Sequence, residues 1–357
     1  MTKRLVVGTD GTWNVPDRKD RGEVRPSNVV KMVLAVAPRD NHGVEQVVYY
    51  GKGVGTGAFE RVRGGVLGWG LSRNIQDAYR FIVEQYAPDD EIFLFGFSRG
   101  AYVTRSVAGL IRNSGILKRE HQDKVGDAYR LYRRRDAASH PTGVEAQVFR
   151  RMFARETRIT FVGVWDTVGA LGIPVGIPWL PVSVLHTVNK RWGFHDVTCS
   201  GSVDNAYHAI AIDERRPQFA PTLWEQQPEA RHQTMEQVWF AGVHTNVGGG
   251  YEDSGLSDVA FLWIKEKAER CGLAFDQGYI ERTIRPNPHG ELRDSKTGLY
   301  KPFRDAVRPI GQGRNTNEAV HRSAVERMAH IQNPAYAPTN LARYLQRGGR
   351  VTPPERR

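Results

Sequence analysis

The sequence predicts an α/β fold in which a mostly parallel central sheet carries helices on both faces. Three observations predict it. Short apolar runs of four to six residues recur between stretches of helical period, the first run ends in a glycine-bearing loop, and no segment repeats at a fixed interval. The 357 residues suffice for one large domain, and 40% hydrophobic with 25% charged residues is an ordinary globular composition.

"RLVVGTDGTWN" reads as a first buried strand and its loop, and "SNVVKMVLAVA" as a helix capped by Ser27. "VEQVVYYGKGVGTG" is a second strand with a glycine-rich rim, "LSRNIQDAYRFIVEQYA" a second helix and "EIFLFGF" a third strand. A helix over 99–113 follows and stops near Gly115. The basic stretch Lys118 to Arg158 holds "YRLYRRRD" and "FRRMFARETR", which read as two amphipathic helices inserted at about 116–158. "RITFVGVWDTVG" is a fourth strand and "MEQVWFAGVHTNVGGG" a fifth. Beyond Gly272 the chain turns polar, with one helix expected at "NEAVHRSAVERMAHI" and a fraying tail over 346–357. Residues 1–345 are expected to form a single domain.

The opening apolar run is too short for a signal peptide, and Cys199 and Cys271 have no metal-type neighbours. A reducing cytoplasm is the default expectation, with secretion by a route that needs no leader left open. The longest uncharged segment, "TVGALGIPVGIPWLPVSVLHTV", contains Pro174, Pro178 and Pro181, which break any continuous helix. It reads as an apolar, lid-like loop over about 167–190 in which Leu171, Ile173 and Trp179 supply surface for substrate. The net charge of +11 suits acidic partners. A basic face could touch an anionic membrane peripherally; no nucleic-acid module is visible, which disfavours that partner.

The chemistry concentrates where strands end, because ligands of such sheets bind at the carboxyl edge. "GFSRG" places Ser98 between Gly96 and Gly100, with a strand before it and a helix after it, as a nucleophile at a sharp elbow requires. A serine hydroxyl needs a base, and His244 lies beyond a later strand in a glycine-rich loop. His208, in "NAYHAIAIDERR", competes, although its surroundings read as helical and structural. Asp166, ending "ITFVGVW", suits the orienting acid in the order Ser, Asp, His, with Asp213, Asp253 and Asp258 as alternatives. For an oxyanion hole the backbone N–H of Arg99 and that of Gly11 or Thr12 are the expected donors, with Asp10 bracing that loop beside substrate. "GKGVGTG" fits no phosphate-loop pattern. Such a triad needs no metal or organic cofactor.

These stretches, together with "VGVWDTVGALGIP", "FHDV", "AYHAIAIDERRPQFAPTLW" and "HRSAVERM", resemble an α/β-hydrolase domain family related to phospholipase effectors of bacterial type VI secretion. The resemblance runs from residue 3 to about 340 and implies the α/β-hydrolase fold, Ser98 as nucleophile, Asp166 as acid and His244 as base. The sequence has "GKGVGT", with Lys52, where the family often carries "DPGVGT". Three functions follow as expectations. The first is a serine carboxylester hydrolase of phospholipase A or lipase type acting through an acyl enzyme. The second is the same triad on small soluble esters, thioesters or amides, and the third a non-catalytic basic protein that binds nucleic acid or anionic membrane. Oligomeric state is not legible in the sequence.

Overall fold

The computed structural model describes residues 2–11, 19–53, 64–169, 198–297, 304–331 and 334–353. The chain opens with β1 (Arg4–Thr9), α1 (Asn28–Ala35), β2 (Gln46–Gly51), α2 (Gly64–Gln85), β3 (Glu91–Phe97) and α3 (Arg99–Ser114). The basic stretch forms α4 (Val125–Arg133) and α5 (Val144–Phe153), and β4 (Ile159–Trp165), β5 (Val203–Ala211) and β6 (Thr234–Phe240) follow. Next come α6 (His244–Gly248), α7 (Gly255–Arg270), α8 (Gln277–Thr283), β7 (Glu318–Val320), α9 (Arg322–Ala329) and α10 (Thr339–Gln346).

Seven strands form one sheet in the order β7-β6-β5-β4-β3-β1-β2. Every neighbouring pair is parallel, so the fold is α/β as the sequence predicts. Alternation sets the two faces. On β3, Ile92 and Leu94 meet Leu71, Ile75 and Val107 of α2 and α3. Phe93, Phe95 and Phe97 point the other way, toward Met32 of α1 and Phe261 and Ile264 of α7. Phe161 of β4 lies among Phe93, Phe95 and Tyr207, with ring centroids 5.9, 5.4 and 5.3 Å away. Each such fully buried ring contributes about 1.5–3 kcal/mol through area removed from water. These rings hold the central strands at a fixed spacing beneath their carboxyl ends.

Two strands of this sheet escape the sequence reading. His208 stands in β5 and not in helical surroundings: a strand buried on both faces is a continuous apolar run, whose period cannot separate strand from helix. The helix expected over "NEAVHRSAVERMAHI" is divided. Glu318–Val320 pair with β6, and the helix begins only after His321, whose side chain caps it by accepting from Ser323 N–H. The tail expected to fray runs beside this edge, where Val320 N–H donates to Arg350 and Thr352 N–H to Val320. Thr12, most of the rim after Gly51, and positions 170–197 with Leu171, Ile173 and Trp179 lie outside the described residues.

Candidate active site

Strand order reverses between β1 and β3, so the loops after these strands leave the sheet in opposite directions and open a crevice at the carboxyl edge. Ser98 directly follows β3, one of the two strands at this reversal. It stands at φ 59°, ψ −122°, a conformation that costs a side-chain-bearing residue on the order of 1–3 kcal/mol. Packing enforces it. A Cβ on Gly96 would lie 2.7 Å from the Ala101 Cα, and one on Gly100 would lie 2.1 Å from the Thr9 carbonyl oxygen. Only glycine at both positions lets α3 fold back so closely over β1 and β3. Ser98 N–H donates to the Trp165 carbonyl at 3.0 Å, which ties the elbow to the end of β4.

Asp166 begins the turn after β4, and His244 opens α6 after β6. Ser98 Oγ and His244 Nε2 are 2.8 Å apart, and His244 Nδ1 lies 2.5 Å from Asp166 Oδ2. The imidazole is held between Phe97 and Phe219, with ring centroids 4.7 and 4.9 Å away. Burial pushes its pKa below the ordinary histidine value, and Asp166 offsets only part of this. With Asp166 ionised, Nδ1–H donates to the carboxylate, so Nε2 is the acceptor facing the hydroxyl.

Asp166 itself is fully buried. Burial pushes its carboxyl up, but Arg308 and His244 reverse this and hold it well below the usual carboxylate range. Arg308 forms two parallel bonds, Nη1 to Oδ1 at 2.6 Å and Nη2 to Oδ2 at 3.0 Å. Oδ1 also accepts the Ala211 N–H at 2.9 Å. Behind the histidine, Glu214 accepts the His244 backbone N–H at 3.2 Å and pairs with Arg216 at 2.8 Å. Burial raises the Glu214 carboxyl, and Arg216 brings it down to about 2.

The competing residues are elsewhere. His208 is buried in β5, where Nε2 accepts the Thr167 N–H at 3.0 Å and Nδ1 faces Gln237 Oε1 at 3.2 Å. Burial takes its pKa down to about 3, and it stays neutral. Asp213 accepts Gly242 N–H and the Tyr336 hydroxyl, Asp253 accepts Gly255 and Glu291 N–H groups, and Asp258 pairs with Lys31. None of the three bonds to His244. Arg99 is the first residue of α3, directly after Ser98. The Gly11 N–H already donates to Asp10 Oδ1 at 2.7 Å, so in this arrangement the oxyanion donor expected there is engaged. Asp10 Oδ2 holds the Ser27 hydroxyl at 2.5 Å and the Tyr50 hydroxyl at 3.1 Å, which braces the loop.

Sequence reasoning passed over Arg308 and Glu214. The charged run Asp213 to Arg216 directly after an apolar stretch signals a strand end facing the site, once that stretch is read as β5. Arg308 lies in irregular chain between α8 and β7, with no local pattern to mark it.

Residues 3–267 match the family described as type VI secretion, phospholipase effector Tle1-like, catalytic domain. The uncharacterized protein YEL023C of Saccharomyces cerevisiae is 27% identical over 248 residues, which cover 63% of this chain and 33% of that protein. The crystal structure of an uncharacterized protein from Pseudomonas aeruginosa aligns at 15% identity and TM-score 0.48, over 81% of this chain and 49% of that one. The structure of the Tle1 effector bound to the VgrG spike from the type VI secretion system aligns at 17% identity and TM-score 0.40, over 71% and 52%. The chain thus spans a third of the curated relative's length and about half of each of these structures.

Proposed function

The chain belongs to the type VI secretion Tle1-like phospholipase effector family, in the region of its catalytic domain, and on that premise we propose that it is a serine hydrolase of lipid carboxylic esters. The observation that supports this reading is the unbroken run from Asp166 through His244 to Ser98, at 2.5 and 2.8 Å. Ser98 Oγ attacks the ester carbonyl carbon while His244 Nε2 takes its proton. The tetrahedral intermediate collapses, the carbon–alkoxy bond breaks, and Nε2 returns the proton to the leaving alcohol. Water then repeats the sequence on the acyl enzyme, releasing the carboxylic acid and restoring Ser98.

Asp166 orients the imidazole and stabilises the imidazolium formed in each half-reaction. The oxyanion is assigned to the Arg99 N–H at the positive end of α3 and to a second donor from the loop at Gly11 and Thr12, where the Gly11 N–H serves only after it leaves Asp10 Oδ1. In this reading Asp10 braces that loop. The apolar segment of about 167–190, with Leu171, Ile173 and Trp179, is assigned to acyl-chain binding, and the basic helical stretch to peripheral contact with anionic lipid. No helix among the described residues is long and apolar enough to cross a membrane. We treat 1–345 as one catalytic domain.

The test is a chain-length series of acyl esters and phospholipids with wild type and Ser98→Ala. Lipid hydrolysis that increases with acyl length and vanishes in Ser98→Ala is expected. Equal turnover of acetate and long-chain esters would move the substrate to small soluble esters. Salt-dependent binding to DNA or vesicles without any hydrolysis would favour the non-catalytic reading.

A further inference from the structure

The acid of a Ser-His-Asp arrangement needs only to hold the imidazole, yet here it is also paired with a full positive charge, the Arg308 guanidinium. Arg308 is 4% exposed, and Asp166 is fully buried. The guanidinium is fastened on its far side as well, with Nη1 donating to the Ala211 carbonyl at 2.8 Å and Nη2 to the Phe219 carbonyl at 2.5 Å. These carbonyls belong to the end of β5 and to the loop that carries the ring packed on His244. One side chain therefore ties together the acid, a strand end and the aromatic wall of the imidazole. It lies beyond residue 267, where the family match ends.

We propose that Arg308 is a positioning residue of the site, which fixes the Asp166 carboxylate by a two-point bond and withdraws part of its field from His244, so that the imidazole stays neutral and able to accept the serine proton. The inference rests on the hydrolase reading above. A planar guanidinium suits the task, because it presents two parallel N–H groups to one carboxylate while remaining charged at every working pH. Among the described residues, the groups around His244 are Phe97 at the end of β3, Ser98 directly after it, Asp166 after β4, and Glu214, Arg216 and Phe219 after β5, with Arg308 reached through the Asp166 carboxylate. Glu214 is already matched by Arg216 at 2.8 Å, so without Arg308 the charge of Asp166 would be the uncompensated one beside the ring. Imidazolium would then be favoured, and the base would be occupied by a proton at pH values where wild type is active.

The experiment measures kcat/KM against pH for wild type, Arg308→Gln and Arg308→Lys on a soluble acyl ester, with fluorophosphonate labelling of wild-type Ser98 as a parallel arm. In Arg308→Gln the acid limb is expected to move to higher pH by about one unit, because the imidazolium loses a nearby positive charge and faces an uncompensated Asp166 carboxylate. Arg308→Lys keeps the charge and loses the two-point geometry, so its acid limb should stay near wild type while kcat falls about tenfold or more. Circular dichroism and melting curves establish that each variant folds. If Arg308→Gln does not fold, Arg308→Lys decides alone: an unchanged kcat overturns the proposal. An unmoved acid limb in folded Arg308→Gln overturns it too. Failure of wild type to label would instead remove the hydrolase reading on which the inference stands.

Discussion

Ser98 Oγ and His244 Nε2 stand 2.8 Å apart, although 146 positions separate them in the chain. Two parallel strands, β3 and β6, deliver them from opposite sides of β4 and β5 to the same edge of the sheet. A proton can pass directly between them at that distance. Ser98→Ala should therefore lower kcat by several orders of magnitude while leaving the melting temperature within a few degrees of wild type. Mapping of a fluorophosphonate adduct checks the site, and labelling of any other serine would contradict it.

His244 and His208 should behave as different kinds of residue. In the proposed mechanism His244→Ala removes the acceptor of the serine proton, so acylation should be lost in a folded protein. His208→Ala strands the Thr167 N–H, and Gln237 loses one partner, so stability should fall by about 1–3 kcal/mol while the folded fraction still turns over. Denaturant melts read beside initial rates separate the two, and full activity in folded His244→Ala would reverse the roles.

The pH profile follows from the direction of the His244 shift. In the proposed mechanism the base works only when neutral, and burial lowers the His244 pKa from the ordinary 6.5. The acid limb of kcat/KM should accordingly have its midpoint below 6.5, so activity persists into mildly acidic solution. Asp166→Asn removes the acceptor that selects the Nδ1–H tautomer and should reduce kcat by roughly 10⁴-fold. A midpoint above 7 for wild type would contradict the assignment.

Asp213 and Glu214 are neighbours with opposite shifts, and stability against pH should reveal both. Burial raises Asp213 from 3.8 to about 6, so its contribution is fully present below 3.8 and is lost as pH rises through 6. Asp213→Asn should thus gain up to about 3 kcal/mol at pH 8, a gain that disappears near pH 4. Glu214 is lowered from 4.5 to about 2, so its contribution is present above 4.5 and is lost as pH falls toward 2. Glu214→Gln should be less stable than wild type at pH 7. Melting temperatures of both variants between pH 3 and 8 test the signs, and parallel curves for the two would refute them.

Local chemistry was legible where it depends on a few adjacent residues. "GFSRG" announces a tight turn because a strand, two glycines and a helix are contiguous, and the turn has the steric need for glycine that the pattern implies. Asp166 and His244 were legible for a related reason, since each directly follows an apolar run and the carboxyl ends of parallel strands converge. The same run-based reasoning failed at His208, because "AYHAIAI" is apolar on both faces and carries no period. It failed at Glu318–Val320 because an edge strand of three residues is held by β6 and not by its own propensity.

The sequence by itself determined which residue types stand at the strand ends: a serine that only a glycine-flanked elbow can present, and an acid and a base after later strands. Those features reside in neighbouring residues, and neighbours are fixed by covalent connection. The tertiary structure alone decided that Arg308, from irregular chain near the C-terminal end, clasps Asp166, and that Glu214 fastens the His244 backbone. It also decided that the Gly11 N–H is turned toward Asp10. Such pairings depend on where distant segments pack and on which buried charge lacks a partner. No stretch of sequence carries that information, because the cost of a buried charge arises only once the chain has excluded water around it.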